Sequence, residues 1–367
     1  YNNWKIFAIA LAIITAIGSI IEYYFTRERV TEESFALDDS ERPDENAKKT
    51  VKLSEQVKIC FKDKYWWLII IFFFLYQFGG MMKNVSQNYF TQAWLTAEQS
   101  TVADVISVGG AYQGTLSIVG AIPTAVGMVL AWPLSQKIGK GKAILFGSIL
   151  AGIGGIVGII AVPLTYGNDF LTFVIATASF VVKALGSTPA MYLSMALMAD
   201  VLDHQEALTG VRTDGFTMTI YGSIMAGMTG IATGLMNLFL SAANYNAGSV
   251  AGMTGEGIRN ATLWIFIGAE TICYIAIALS FVFMKVEKFS KFDHVAIIAD
   301  QKAVAEANGE EYVEPEVRMK LEEEKAEAEV KAQVRAQVEA RALKEGKDVQ
   351  AALAEHDAKV AAAEEAE

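Results

Sequence analysis

Long apolar runs alternate with short polar segments along most of this chain. A helix needs about 20 apolar residues to cross the hydrocarbon core of a bilayer, and seven runs fit that requirement. The pattern therefore predicts an all-α integral membrane protein. The seven predicted helices span residues 4–25, 65–94, 105–134, 143–164, 170–198, 215–240 and 261–284.

Positive charge is distributed unevenly among the polar segments between these helices. Lys and Arg concentrate between the first and second helices, between the third and fourth, and after the seventh, and Arg212 lies between the fifth and sixth. The segments on the opposite side contain only Arg259. Because loops rich in Lys and Arg stay inside the cell, the first set and the tail are predicted to be cytoplasmic, in a plasma-membrane protein. Residue 1 is then outside, as expected if five helices precede it.

The chain divides into four predicted parts: a transmembrane helix at 1–25, a cytoplasmic linker at 26–64, a six-helix membrane portion at 65–285 and a charged helical tail at 286–367. The end of the linker, residues 51–61, is amphipathic and is predicted to lie along the inner membrane surface. The tail is predicted to be a solvated helix or loose coiled coil, with a regulatory or partner-binding arm as the alternative. Since the chain starts at Tyr1, without an initiator Met or a signal peptide, we expect an upstream portion.

Composition argues against several classes of protein. The net charge of −11 comes mostly from the tail, and the chain has no basic stripe that would bind nucleic acid. Its three histidines and two cysteines lack the spacing of a metal site, and no nucleophile motif occurs. We therefore expect neither an enzyme nor a cofactor-binding protein. The expected interaction partner of the membrane helices is the lipid bilayer.

Three ionisable residues, Lys83, Lys183 and Glu270, lie within the predicted membrane helices. A charge in hydrocarbon costs several kcal/mol unless it meets water or a partner, so each is a candidate for function. Lys83 adjoins a polar stripe that is typical of a helix lining a wet cavity. The alternative is that Lys83 snorkels to the outer surface. The stripe consists of Gln77, Gly80, Asn84, Gln87 and Thr91, with Asn88 beside it.

Lys183 is close to the middle of its helix and precedes Pro189, which removes a backbone donor and can bend the helix near polar groups. Bent helices near the midplane favour substrate sites in transporters. The alternative is a structural lysine that pairs with a neighbouring helix. Glu270 is predicted to be kept neutral or to pair with a lysine, and a structural role is favoured over one in coupling.

Small residues recur at intervals of four in two of the predicted helices. One set is Gly147, Ala151 and Gly155, and the other is Gly222, Ala226, Gly230 and Gly234. This spacing predicts close contact between helix backbones inside the membrane.

The stretch from residue 200 to 215 is a dense polar patch between two apolar runs, and it predicts a short solvent loop. Its pattern of Ala-Asp-x-x-Asp-x-x-Glu followed by Arg212 resembles the loop before the eleventh helix of the glycoside-pentoside-hexuronide:cation symporters, a branch of the major facilitator superfamily. Residues 132–142 are similar to the basic loop that major facilitators have between helices eight and nine.

The resemblance implies the major facilitator fold, with the first helix here as the sixth of twelve and the other six as the C-terminal half. It places Tyr221 and Gly222 at sugar-contacting positions, and it places Ala226 where a relative has a lysine near its cation site. The coupling cation, sodium or proton, is then expected to be bound mainly by the upstream half. Carboxylates at the ends of helices five and six, with Arg212, are expected to open and close the inner face.

The expected function is therefore secondary transport of a sugar, glycoside or uronide by cation-coupled alternating access. The alternatives are a permease for another polar or anionic solute on the same fold, or a membrane scaffold that displays the acidic tail. The residues expected to face the substrate are Lys83, Asn84, Gln87, Lys183 and Tyr221, and the expected gating residues are Asp200, Asp203, Glu206, Arg212 and Asp214.

Overall fold

The computed structural model describes residues 2–25 and 52–307, with isolated positions beyond residue 307. The chain forms two compact units, one of residues 1–52 and one of residues 53–367. The first unit contains helix α1, Asn2–Phe25, whose most apolar stretch is Ile9–Glu22. The rest of the predicted linker before Lys52 and most of the predicted tail lie outside the described residues.

The second unit is a helical bundle with turns between the helices. Its helices are α2 (Leu53–Lys62), α3 (Lys64–Trp94), α4 (Val102–Ile138), α5 (Lys140–Leu164), α6 (Asp169–Thr209), α7 (Asp214–Ala242), α8 (Val250–Thr254), α9 (Glu256–Leu263), α10 (Glu270–Phe281) and α11 (Ser290–Ala307). Helices α3 to α7, and the helical stretch that contains α8 to α10, are long and apolar enough to cross a membrane. Six of the seven predicted spans are thus confirmed by length and composition, each with somewhat longer ends.

Helices α5, α6 and α10 pack closely because small residues line their contacts. A Cβ added at Gly147 would lie 3.0 Å from Pro189 Cγ, and one added at Gly155 would overlap the side chain of Thr271. The predicted close packing is therefore confirmed for this set. For Gly222 and Gly230 it is wrong within the described residues, since nothing lies within 4 Å of a Cβ added to either.

The predicted solvent loop over residues 200–215 is wrong for most of its length. Helix α6 continues to Thr209 and ends at Gly210, which has φ of 67°, so the turn before α7 is only a few residues long. Asp200 and His204 are buried on α6. The polar sequence stays helical because Val201 and Leu202 continue the apolar stripe that packs into the core.

The last predicted span, residues 261–284, changes helix type along its length. It contains the end of α9, passes through a π-helical segment at Trp264–Ala269, and continues as α10, and the short helix α8 precedes α9. A π-helical segment has a wider turn than an α-helix and often occurs at functional sites. After α10, a short 3₁₀ turn at Val286–Lys288 leads into α11.

The end of the linker is helical, as predicted. In helix α2 the side chain of Cys60 is buried, whereas those of Leu53 and Phe61 are exposed. The predicted tail begins with the 3₁₀ turn at Val286–Lys288 and with α11, and only isolated positions beyond Ala307 are described. The location of α2 on the membrane surface stays a prediction.

Candidate functional site

Three charged side chains from three different helices meet inside the bundle. Lys83 of α3 has its Nζ 3.3 Å from Glu270 Oε1, and Lys183 of α6 has its Nζ 2.5 Å from Glu270 Oε2. The side chains of Lys183 and Glu270 are 4% and 5% exposed, and that of Lys83 is 24% exposed. We call Lys83, Lys183 and Glu270 the charge triad.

The backbone just before Glu270 contributes to the charge triad. Lys183 Nζ also donates to the carbonyl of Ile267, which lies in the π-helical segment, at 3.4 Å. The Thr271 hydroxyl donates to the same carbonyl at 2.5 Å. The wider π turn leaves carbonyls more open to side chains than an α-helix does, and here it directs one of them toward a buried ammonium.

The charge triad contains two ammonium groups and one carboxylate. If all three are ionised, it has a net charge of +1, in a place where hydrophobic helices exclude water. The ammonium of Lys83 also lies over the ring of Phe180, at 5.4 Å from the ring centroid. The arrangement can therefore accept a further negative charge or the oxygen of a polar ligand at Lys83, its most accessible member.

The structure brings together only two of the five predicted substrate residues, Lys83 and Lys183. Gln87 is buried, and its amide donates to the Gln113 carbonyl at 3.3 Å and to the Ser117 hydroxyl at 2.9 Å, both on α4. Asn84 is exposed on α3. The ring of Tyr221 on α7 packs edge-on against Phe73, with the ring centroids 4.7 Å apart.

The predicted gating residues separate into two groups. Arg212 pairs with Asp203 at 2.7 Å, with Glu206 at 3.0 Å and with Asp214 at 2.5 Å, which joins the end of α6 to the start of α7. Burial opposes the charge of the guanidinium, but hydrogen bonds to Asp214, Glu206 and Asp203 raise the pKa of Arg212. We call these four residues the Arg212 cluster.

Asp200 does not belong to the Arg212 cluster, contrary to the sequence-based expectation. It pairs with Lys140 at the start of α5, where Nζ and Oδ2 are 2.5 Å apart. The side chain of Glu287 accepts hydrogen bonds from the backbone N–H groups of Lys140, at 2.5 Å, and of Gly141, at 2.8 Å. These contacts cap α5 and join it to α6 and to the segment after α10.

The sequence analysis underestimated the number of contacts that Glu270 makes. It was predicted to pair with a lysine, but it was not counted among the site residues, and the structure shows it between both membrane lysines. The signal was available in principle, because two lysines inside apolar helices require a nearby anion and the last apolar run contains one carboxylate. The contact of His204 with Asp293, at 2.9 Å, had no comparable signal.

Comparisons with known proteins identify the family of this chain. The family model described as "MFS/sugar transport protein" matches residues 1–288. A curated protein from Lactiplantibacillus pentosus, described as "Isoprimeverose transporter", is 25% identical over 289 residues, which cover 78% of this chain and 53% of that protein. The chain thus spans about half the length of this relative. It is a multi-pass membrane protein that belongs to the MFS/sugar transport protein family, a family of transporters rather than of enzymes.

Proposed function

We propose that the protein moves a sugar, glycoside or uronide across the plasma membrane by cation-coupled alternating access. Membership of a sugar-transport family supports the substrate class, and so does the relative described as an isoprimeverose transporter. In this proposal the segment before α3 and the segment after α10 face the cytoplasm, because Lys and Arg concentrate there. The coupling cation, sodium or proton, is bound mainly by parts of the protein outside residues 52–307.

The observation that carries the proposal is the charge triad inside the bundle. Glu270 neutralises part of the charge of Lys83 and Lys183 when no substrate is bound. A substrate hydroxyl or carboxylate then competes with Glu270 for the more exposed ammonium, that of Lys83. Charge-assisted hydrogen bonds of this kind are about twice as strong as neutral ones and select for polar ligands.

The other residues of the proposed site have more indirect roles. Gln87 fixes the packing of α3 on α4, and Asn84 and Tyr221 offer polar atoms to substrate in a conformation other than the one described. The Arg212 cluster closes one end of the bundle in this conformation and separates when that end opens. Asp200 contributes through Lys140 rather than through Arg212.

The test is uptake of radiolabelled glycosides by the complete protein in proteoliposomes. Lys183→Met should abolish uptake, because it removes the fully buried ammonium of the charge triad, while membrane insertion stays intact. Lys142→Met is the matched control, since Lys142 is exposed at the start of α5. Normal uptake by Lys183→Met would remove Lys183 from the site.

The net charge of the charge triad favours a second candidate function, transport of an anionic solute. The same assay distinguishes an anionic from a neutral substrate when a glucuronide and a neutral glycoside with the same aglycone are compared. If the natural substrate is anionic, Lys83→Gln should reduce uptake of the glucuronide far more than uptake of the neutral glycoside. Equal reduction of both would favour a neutral sugar.

A further inference from the structure

A cavity of about 560 Å³ lies at the end of the bundle where α2 meets α3 and α6. It shares no residue with the charge triad, because its residues on α3 and α6 lie about five turns or more along each helix from Lys83 and Lys183. The residues that matter for its chemistry are Lys62, Lys64, Tyr65, His204, Leu208 and Phe289. Because α3 begins at Lys64 and α6 ends at Thr209, the cavity is located where these membrane helices end.

The cavity has an excess of positive charge. Lys62 and Lys64 are both exposed, and within the described part of the chain neither ammonium takes part in an ion pair. The carboxylate between them, that of Asp63, caps α3 by accepting a hydrogen bond from the backbone N–H of Tyr65 at 2.8 Å. His204, on the opposite wall, is already paired with Asp293.

We call three exposed apolar residues the apolar rim: Phe61 precedes Lys62, Trp67 is about one turn after Lys64 on α3, and Leu208 lines the cavity itself. Phe61 is 53% exposed, Trp67 is 39% exposed and Leu208 is 71% exposed. The Trp67 indole donates to the Phe61 carbonyl at 3.1 Å, and the two rings pack edge-on at 5.0 Å, so their positions are fixed. Exposed tryptophan at the end of a membrane helix is typical of the boundary between headgroups and acyl chains.

We propose that this cavity binds the headgroup of an anionic phospholipid. Its phosphate lies between the ammonium groups of Lys62 and Lys64, and its acyl chains run along Phe61 and Trp67. Basic pockets between membrane helices bind anionic headgroups in this way. The apolar rim favours a lipid over a free phosphate ion, because a free ion gains nothing from exposed aromatic rings. The bound lipid would join the end of the linker, α2, to α6.

The experiment is native mass spectrometry of the purified complete protein in mild detergent. It is titrated with phosphatidylglycerol and, separately, with phosphatidylcholine that has the same acyl chains. We expect the protein to retain phosphatidylglycerol preferentially. The double variant Lys62→Gln/Lys64→Gln should bind it about thirtyfold more weakly, in line with the usual contribution of two lysines near an anionic headgroup. The charge-matched control is Lys137→Gln/Lys142→Gln, two exposed lysines at the same end of the bundle and outside the cavity.

Several results would overturn the proposal. Unchanged phosphatidylglycerol binding by Lys62→Gln/Lys64→Gln would exclude this cavity, and an equal loss in the control would reduce the effect to general surface charge. Displacement of the lipid by millimolar inorganic phosphate would indicate a soluble anion as the ligand. A large gain in lipid binding after removal of residues 308–367 would show that the acidic tail occupies the cavity instead.

Discussion

Glu270 is the residue on which the buried charges of this protein depend. Removing an ammonium group from water costs several kcal/mol, and a nearby carboxylate offsets that cost only when the geometry is close. Here one carboxylate contacts two lysines through its two oxygens, at 3.3 and 2.5 Å. The loss of this single group therefore removes the carboxylate that both ammonium groups contact.

We expect Glu270→Gln to destabilise the protein strongly, by about 3 to 5 kcal/mol, the usual effect of removing one partner of a buried ion pair. The amide keeps the shape of the side chain but loses its charge, and Lys183 is almost fully buried. Thermal unfolding in detergent would measure the effect as a clear fall in Tm relative to the wild type.

The double variant Lys183→Met/Glu270→Gln provides the control. It removes the buried ammonium together with its partner, so it should recover at least half of the Tm that Glu270→Gln loses. If the two substitutions simply added their losses, the contact between Lys183 and Glu270 would not be the source of the instability.

At the residue scale the sequence predicted which charges lie inside the membrane but not how they pair. Lys83, Lys183 and Glu270 each stand out against an apolar background. Their pairing depends on how α3, α6 and α10 rotate and on the π turn before Glu270, and no local pattern encodes either. The contact of Gln87 with α4 could not be predicted for the same reason, because it is set by the packing of two helices.

At the scale of elements, hydropathy located the membrane helices but not the features within them. Runs of about 20 apolar residues are read directly from the sequence because the bilayer fixes the required length. Hydropathy did not predict the extension of α6 to Thr209, because the last turns of this helix are polar and are stabilised by contacts with other helices. It did not predict the π-helical segment because WIFIGA is as apolar as its surroundings.

We expect the Arg212 cluster to keep the turn between α6 and α7 closed. Cys60 of α2 is fully buried beneath this turn, and its Sγ lies 3.3 Å from the Thr213 hydroxyl. Surface ion pairs contribute about 0 to 1 kcal/mol each, so Arg212→Gln should leave Tm almost unchanged. A loss of about 1 kcal/mol from the closed state would increase the open fraction, and the labelling of Cys60 by N-ethylmaleimide, about fivefold.

Arg259→Gln is the matched control, because Arg259 contacts Tyr166 in a separate part of the bundle and does not contact the turn. Cys273, which is buried beside Gly79 inside the bundle, reports general loosening of the protein. Unchanged labelling of Cys60 in Arg212→Gln would leave the cluster as a set of solvated surface pairs without a role in closure.

At the scale of the whole molecule, the segment after α10 divides into an anchored part and a part beyond it. Asp293 of α11 is buried and paired with His204 of α6, whose ring stacks on Phe289 with the centroids 5.0 Å apart. The sequence alone predicts a tail beginning at residue 286. It does not predict this anchor, because the anchor joins residues that are 89 positions apart.

Truncations on either side of this anchor distinguish a transporter from the alternative, a scaffold that displays the tail. Truncation after Ala307 keeps α11 with its contact to His204, so a transporter should retain both its Tm and its uptake. A scaffold would keep its fold after this truncation, but it would lose its function together with the acidic residues of the tail. Truncation after Lys288 keeps Glu287, which caps α5, but removes Phe289 and Asp293. It leaves the buried His204 without its hydrogen-bond partner, which should cost about 1 to 3 kcal/mol. If truncation after Ala307 abolished uptake while Tm stayed the same, the segment beyond α11 would have to act in transport itself.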